Sequence, residues 1–474
     1  MGSLQKDVSW TEFYNIIDGK NRSSKEFYHG LDPTTGEKLW DVPVATKQDT
    51  DDAVAAARKA FKTWGQTPFE ERRKVLLEFG KSLKDYLGDF EELLIKENAK
   101  PRQFARGEVN SSCVEGVEFF REPFPINLNL PEETIEESDR TVVIKCVPIG
   151  VVAAICPWNF PLGQVNMKFL PALLAGNTVI IKPSPFTPYS ALKVVELAQQ
   201  YLPPGVLQVL GGGDQLGPWL VAHPDVDKIS FTGSIATGKK IMESAAKTLK
   251  RVTLELGGND ACIICPDVDV DAIAAELVLG AFFNTGQICT ATKRVYIHKD
   301  IYKQALQAIQ KATKDLQVGA PTTKGVMIGP LQNKMQFEKV KGYYQEGGLE
   351  DGDTGKGFFL KPTIVDSPPE DSRIMVEEQM GPILPTQSWS DQEDVIQRAN
   401  DSSMGLGASV WSKDTKRAQT IADRLDAGTI FINSMPKLSI RVPFSGHKES
   451  GIGVEAGHTA MLSYCNQKAY HYFK

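Results

Sequence analysis

The chain has 474 residues, with 53 Lys plus Arg against 59 Asp plus Glu, a net charge of −6. That length gives room for two or three domains with a large core that needs no disulfide or metal, and the acidic balance speaks against a nucleic-acid binder. With 41% hydrophobic and 24% charged residues, the composition is that of a globular protein and excludes disorder, collagen and coiled coil for the chain as a whole.

The first ten residues hold no apolar block, so no secretory signal is expected, and Lys6 breaks the myristoylation pattern that Met1-Gly2 opens. After a short strand-rich start the chain turns helical. Asp51 is expected to cap a helix that runs to Trp64, and a second helical stretch follows Pro68, its apolar face made by Val75, Leu76, Phe79, Leu83, Leu87 and Phe90. Thr134 to Cys146 alternates weakly and reads as an edge strand. Cys146 to Met167 carries no formal charge, but its prolines and its Asn and Gln residues rule out a membrane span. It reads as a buried strand, a loop and a helix start.

From residue 141 strand and helix alternate. Strands are expected at Val151–Ile155, Thr178–Lys182, Val206–Leu210, Lys228–Phe231 and Arg251–Leu256. They recur roughly every 25 residues, room for one strand, one helix and two loops, which is the parallel βαβ pattern. Thr187-Pro188 is expected to start one of the intervening helices and Pro203-Pro204-Gly205 to stop it. A second α/β region, with strands near Ala261–Cys265, Arg294–His298 and Thr429–Asn433, runs to about residue 440. The aromatic Ala469–Phe473 reads as another edge strand, open to pairing with a second subunit.

The seven cysteines are odd in number and scattered, which fits a reducing compartment and a cytoplasmic location better than a disulfide framework. Cys262 and Cys265 form a CxxC inside an apolar strand, where positions three apart face opposite ways, so neither a redox nor a zinc role is expected. The six histidines show no metal-binding spacing, and no metal is expected. Gly233 to Lys240 nearly matches a phosphate-binding P-loop, but Lys240 stands where a hydroxyl would hold Mg²⁺; an anion-binding turn of another kind is expected. Gly211-Gly212-Gly213 with Gly217 is one residue longer than the dinucleotide fingerprint. Glu255 sits in an apolar strand ending in Gly257-Gly258, where burial raises a carboxyl pKa and suits it to general-base work. Cys289 ends a small polar loop, Asn284-Thr285-Gly286-Gln287-Ile288, which suggests exposure to a cleft; reactivity there requires surroundings that favour the thiolate.

Three motifs together resemble the aldehyde dehydrogenase superfamily: Cys156-Pro157-Trp158-Asn159-Phe160-Pro161, Leu254-Glu255-Leu256-Gly257-Gly258 and Gly286-Gln287-Ile288-Cys289. Phe231-Thr232-Gly233-Ser234, Glu377 to Pro382 and Pro443-Phe444-Ser445-Gly446 add to the match, which spans about residue 25 to 465. The resemblance implies an α/β fold with a Rossmann-like parallel-sheet cofactor domain (residues 1–122 and 147–257), a second α/β catalytic domain (258–458) and a small β oligomerisation arm (123–146 and 459–474).

It also implies roles. Cys289 is the expected nucleophile, Asn159 and the Cys289 N–H the oxyanion donors, and Glu255 the base that activates water to hydrolyse a thioester. NAD, with NADP possible, is the expected cofactor, held by Ile155, Pro157, Trp158, Lys182, Ser184, Pro185, Gly213, Phe231, Gly233, Ser234, Gly257, Glu378 and Met380. Phe160, Met167, Ile288, Thr290, Leu438 and Phe444 are expected to line an apolar channel for an apolar or aromatic aldehyde. Pro185 stands where many NAD-preferring members carry a Glu on the adenosine ribose, which removes repulsion against a 2′-phosphate. Met380 replaces a common aromatic residue, and Ser445 a more usual Gly. A homodimer or homotetramer is expected, with no nucleic-acid or membrane partner. The rivals are a CoA-acylating relative, which Glu255 disfavours because that route needs no water-activating base, and a P-loop nucleotide-binding protein.

Overall fold

The computed structural model describes residues 8–118, 132–353 and 355–474. Five β-sheets organise the described residues. The largest has eight strands, with a parallel centre in the spatial order Leu207–Val209, Thr178–Lys182, Val151–Ile155, Lys228–Thr232 and Arg251–Glu255. These central strands are Val-, Ile- and Ala-rich and almost wholly buried, as a sheet covered by helices on both faces requires. The sheet is not purely parallel. The hairpin Asn15–Ile17 with Lys20–Arg22 adds to one edge and Gly451–Ile452 to the other, all antiparallel. The last of these comes from a part of the chain expected to belong to the catalytic domain (258–458).

That second region contributes a six-stranded parallel sheet, from Thr363–Asp366 through Ile383–Trp389, Thr292–His298, Asp260–Ile264 and Gly407–Trp411 to Thr429–Ile432. Cys262 and Cys265 pack into different apolar clusters, on opposite faces of this sheet. A third sheet pairs Cys465–Phe473 with Arg140–Pro148 and that strand with Glu132–Glu136. Thus Thr134 to Cys146 is a hairpin rather than one strand. Residues 123–131 of the expected arm lie outside the described residues.

Three local expectations are corrected. The first helix is Lys47–Trp64 and is capped by Thr46, not Asp51: Thr46 Oγ1 accepts from the Asp49 N–H at 3.1 Å, and Asp49 accepts from the Thr46 N–H at 2.9 Å. This reciprocal pair uses two otherwise unpaired donors. The stretch after Pro68 is two helices, Phe69–Leu83 and Leu87–Asn98, joined by a single 3₁₀ turn at Lys84–Tyr86. Phe90 therefore belongs to the second. The helix Tyr189–Ala198 has no cap from Thr187, whose hydroxyl donates to the Trp158 carbonyl at 3.4 Å. Its first N–H groups are held instead by Glu97, at 2.8 Å from Tyr189 N and 3.1 Å from Ser190 N.

Candidate active site

The site lies where the carboxyl ends of the large sheet meet the second sheet. Cys289 follows a short turn in which Asn284 (φ 52), Thr285 (φ 59) and Gly286 (φ 73) all take left-handed backbone. Two of these are not glycine, so the turn is strained, and its neighbours hold it. Thr285 Oγ1 donates to Gly329 O at 3.1 Å, Gln287 Nε2 to Asn284 O at 3.0 Å, and Gln287 Oε1 accepts from Gln332 N at 2.9 Å. Only glycine fits position 286, where a Cβ would stand 2.3 Å from the Gly381 carbonyl.

Asn159 sits in the loop between Val151–Ile155 and the helix Pro161–Leu174. One proton of its Nδ2 goes to Gln287 O at 3.0 Å, which ties the loop to the cysteine turn. Its own carbonyl accepts from Lys100 Nζ and Asn284 Nδ2, both at 3.1 Å. The second Nδ2 proton is the one available to an incoming oxygen.

Glu255 ends the strand Arg251–Glu255 and is buried, with neither carboxylate oxygen hydrogen-bonded. Burial, joined by the negative Glu455 and Asp260, raises its pKa well above the usual carboxylate range, while Lys168 opposes. Lys168 is itself buried, ion-paired with Glu455, and donates to Thr232 Oγ1 at 2.8 Å. Lys168 and Glu455 thus set the charge around Glu255. Sequence reasoning did not find them, because a polar residue on an apolar helix and one far along the chain carry no local signal.

Cys289 is half-buried and faces a cavity of about 650 Å³. Its thiol is pushed well up, first by burial and then by the charge of Glu255, with Lys293 pulling the other way.

The cavity wall gathers most of the residues singled out from the sequence: Pro157, Trp158, Asn159, Gly233, Ser234, Gly257, Glu378 and Met380. Phe160, Met167, Ile288, Cys289, Thr290, Leu438 and Phe444 line it as well. Phe104 and Phe283, which the sequence did not suggest, extend the aromatic lining, and the Phe160 and Phe283 rings stack at 6.5 Å. Glu255 lies behind this wall rather than in it. Ile155, Lys182, Ser184, Pro185, Gly213 and Phe231 also stand outside the wall, on the carboxyl-end strands or the loops that follow them. Burial lowers Lys182 to about 8.

A dinucleotide fits this wall. The helix Ile235–Ala246 points its N-terminus at the cavity, with Ser234 as its cap, accepting from Thr237 N at 3.2 Å, and such an end binds anionic groups. Glu378 Oε1 accepts from Gly258 N at 3.1 Å, and a Cβ at Gly257 would stand 2.4 Å from Oε2, so the glycine backbone clears a place for this carboxylate. Among the described residues no cluster of His, Cys, Asp or Glu is placed to hold a metal, and no helix is long and apolar enough to cross a membrane.

The model of the Aldehyde dehydrogenase family matches residues 20–470. The chain is 44% identical to aldehyde dehydrogenase LUC3 of a Fusarium species, over 98% of this chain and 100% of that protein. It is similar to the structure of an NADP-dependent enzyme from E. coli (TM-score 0.94, 32% identity, 98% of this chain and 99% of that one). A like match is the NAD+ complex of an aldehyde dehydrogenase from Bacillus cereus (TM-score 0.92, 33% identity, 98% and 96% covered).

Proposed function

The chain belongs to the aldehyde dehydrogenase family and is an oxidoreductase that oxidises aldehydes with NAD(P)+, and from that premise we propose a covalent route through Cys289 that ends in hydrolysis. Cys289 Sγ adds to the aldehyde carbon, its proton passing to the nearby Glu255 carboxylate. The resulting oxyanion accepts from the free Nδ2 proton of Asn159 and from the Cys289 N–H; each such donor typically contributes ~2.7–4 kcal/mol to the transition state. When bound, the dinucleotide supplies the hydride acceptor, which turns the thiohemiacetal into a thioester on Cys289. Glu255, once it has passed the thiol's proton on to solvent, then takes a proton from the water that releases the acid.

The observation that carries this reading is the convergence of Asn159 on the cysteine turn through Gln287 O, with a buried and unpartnered Glu255 close enough to raise the thiol. The same Glu255 speaks against CoA as the acyl acceptor, and the aromatic wall of Phe104, Phe160, Phe283 and Phe444 supports an apolar or aromatic aldehyde. Pro185, with no carboxylate to repel a 2′-phosphate, supports use of NAD with NADP tolerated. We assign the large sheet to cofactor binding, the six-stranded sheet to catalysis and the three-stranded sheet to a homodimer or homotetramer in a reducing, cytoplasmic setting.

Mass spectrometry of a quenched reaction is expected to show an acyl adduct on the Cys289 peptide, and product analysis to show free acid whether or not CoA is present. Acyl-CoA without acid overturns the hydrolytic route. A screen of aldehydes against NAD and NADP is expected to favour aromatic or medium-chain substrates; a strong preference for small charged aldehydes overturns the substrate reading.

A further inference from the structure

Lys293 is the second residue of the strand Thr292–His298, next to the cysteine turn, and its side chain is 3% exposed. Its Nζ donates to Cys289 O at 2.6 Å, to Ile288 O at 2.8 Å and at 3.5 Å to Ala291 O, and lies 3.8 Å from Glu378 Oε1. These neighbours are the carbonyls at and just after the cysteine turn and one carboxylate. A neutral side chain could satisfy two carbonyls without the desolvation cost of a buried ammonium. The charge therefore needs a partner, and the groups facing the thiol supply it. Glu255 comes from the end of one strand, Asp260 from the start of the next and Glu378 from the loop after Arg373–Val376; all three are acids. Among the described residues Lys293 is the cation acting on the thiol beside them, and Arg294, next along the strand, acts on Asp260.

We propose that Lys293 is the positioning residue of the nucleophile: its ammonium clamps the Ile288 and Cys289 carbonyls and supplies the positive charge that offsets the three carboxylates around the thiol. The proposal rests on Cys289 as the nucleophile. Two carbonyls held from below fix the turn against its left-handed strain and keep Sγ in the cavity. A fixed positive charge favours the thiolate whenever the proton leaves.

The test reads carboxamidomethylation of the Cys289 peptide by iodoacetamide across pH, in the full-length protein without cofactor. Lys293→Gln keeps amide donors for the carbonyls but removes the charge. It is expected to shift the profile to higher pH by about one unit, an approximately tenfold slower reaction on the rising limb. Lys293→Met, which removes donors and charge together, is expected to shift at least as far, and Lys293→Arg to stay close to the wild-type profile. The acid limb of kcat/KM should move with the alkylation profile. A folded Lys293→Gln or Lys293→Met with the wild-type profile overturns the proposal, as does Lys293→Arg behaving like Lys293→Gln. If instead Cys289→Ser still oxidises aldehyde, the nucleophile reading fails, while the alkylation profiles still decide whether Lys293 controls this thiol.

Discussion

At Cys289 and Glu255 the burial that makes each useful also raises its pKa. The thiol is pressed up by burial and by Glu255, and Glu255 by burial and by Glu455 and Asp260. Removing the sulfur should remove the reaction and nothing else: Cys289→Ala is expected to lose aldehyde oxidation while cofactor binding, read by fluorescence titration, stays near the wild-type value. Glu255→Gln is expected to give a rapid first turnover followed by slow release, with thioester accumulating on Cys289; normal steady-state turnover would remove Glu255 from the role of base. The sign of the pH dependence follows from the raised carboxyl. A base must be ionised to take a proton, so release of the acid product in the wild type should quicken as pH rises past the ordinary carboxylate range. Glu255→Gln should lose that limb in a single-turnover pH profile.

Two helix ends in this protein are secured from a distance. Glu97, in the last turn of its own helix, holds the first N–H groups of Tyr189–Ala198. Glu108 does the same for Pro161–Leu174, accepting from Leu162 N at 3.1 Å and Gly163 N at 3.0 Å, while paired with the buried Lys100. Both acids lie on helices that precede the loop carrying Asn159, so they fix the frame in which that loop sits. Loss of such a cap costs about 1–2 kcal/mol, and Glu97→Ala is expected to lower the stability to denaturant by that amount. Burial raises the Glu97 carboxyl from 4.5 to about 7. Between those values the native protein keeps a proton that the unfolded chain has lost, so Glu97 contributes less stability as pH rises. Denaturant midpoints taken across that window should therefore fall with pH more steeply in the wild type than in Glu97→Gln; parallel profiles would show that Glu97 is not the group responsible.

Across the whole molecule, two sheets divide the work of placing one cysteine. The large sheet brings Glu255 and the loop of Asn159, the six-stranded sheet brings Lys293, and neither role falls to the three-stranded sheet. Its outer strands Glu132–Glu136 and Cys465–Phe473 leave Ile135, Tyr472 and Phe473 exposed, at 40%, 57% and 69%. Apolar residues on open strand edges favour pairing with another chain. Deletion of residues 469–474 is expected to lower the oligomeric state in light scattering; an unchanged mass would move the interface elsewhere.

The parallel core of the fold was legible in the sequence because a buried strand flanked by helices leaves a strong local pattern, as at Val151–Ile155 and Thr178–Lys182. The motifs around Asn159, Glu255 and Cys289 were legible for a similar reason, since each combines residue types that an apolar segment does not otherwise keep. The caps were not: Thr46 lay one turn before the residue expected, and Glu97 and Glu108 act on helices 92 and 54 residues away. Nor was the charge around Glu255 and the thiol, because Lys168 and Glu455 come to act on the one and Lys293 on the other only when separate strands and helices close on one another. Sequence determined the elements and pointed to the candidate site residues, since periodicity and residue chemistry are local properties. Tertiary structure alone decided the field that shifts their pKa values, since the field at a buried group is the sum over charges that the chain brings together from every part of its length.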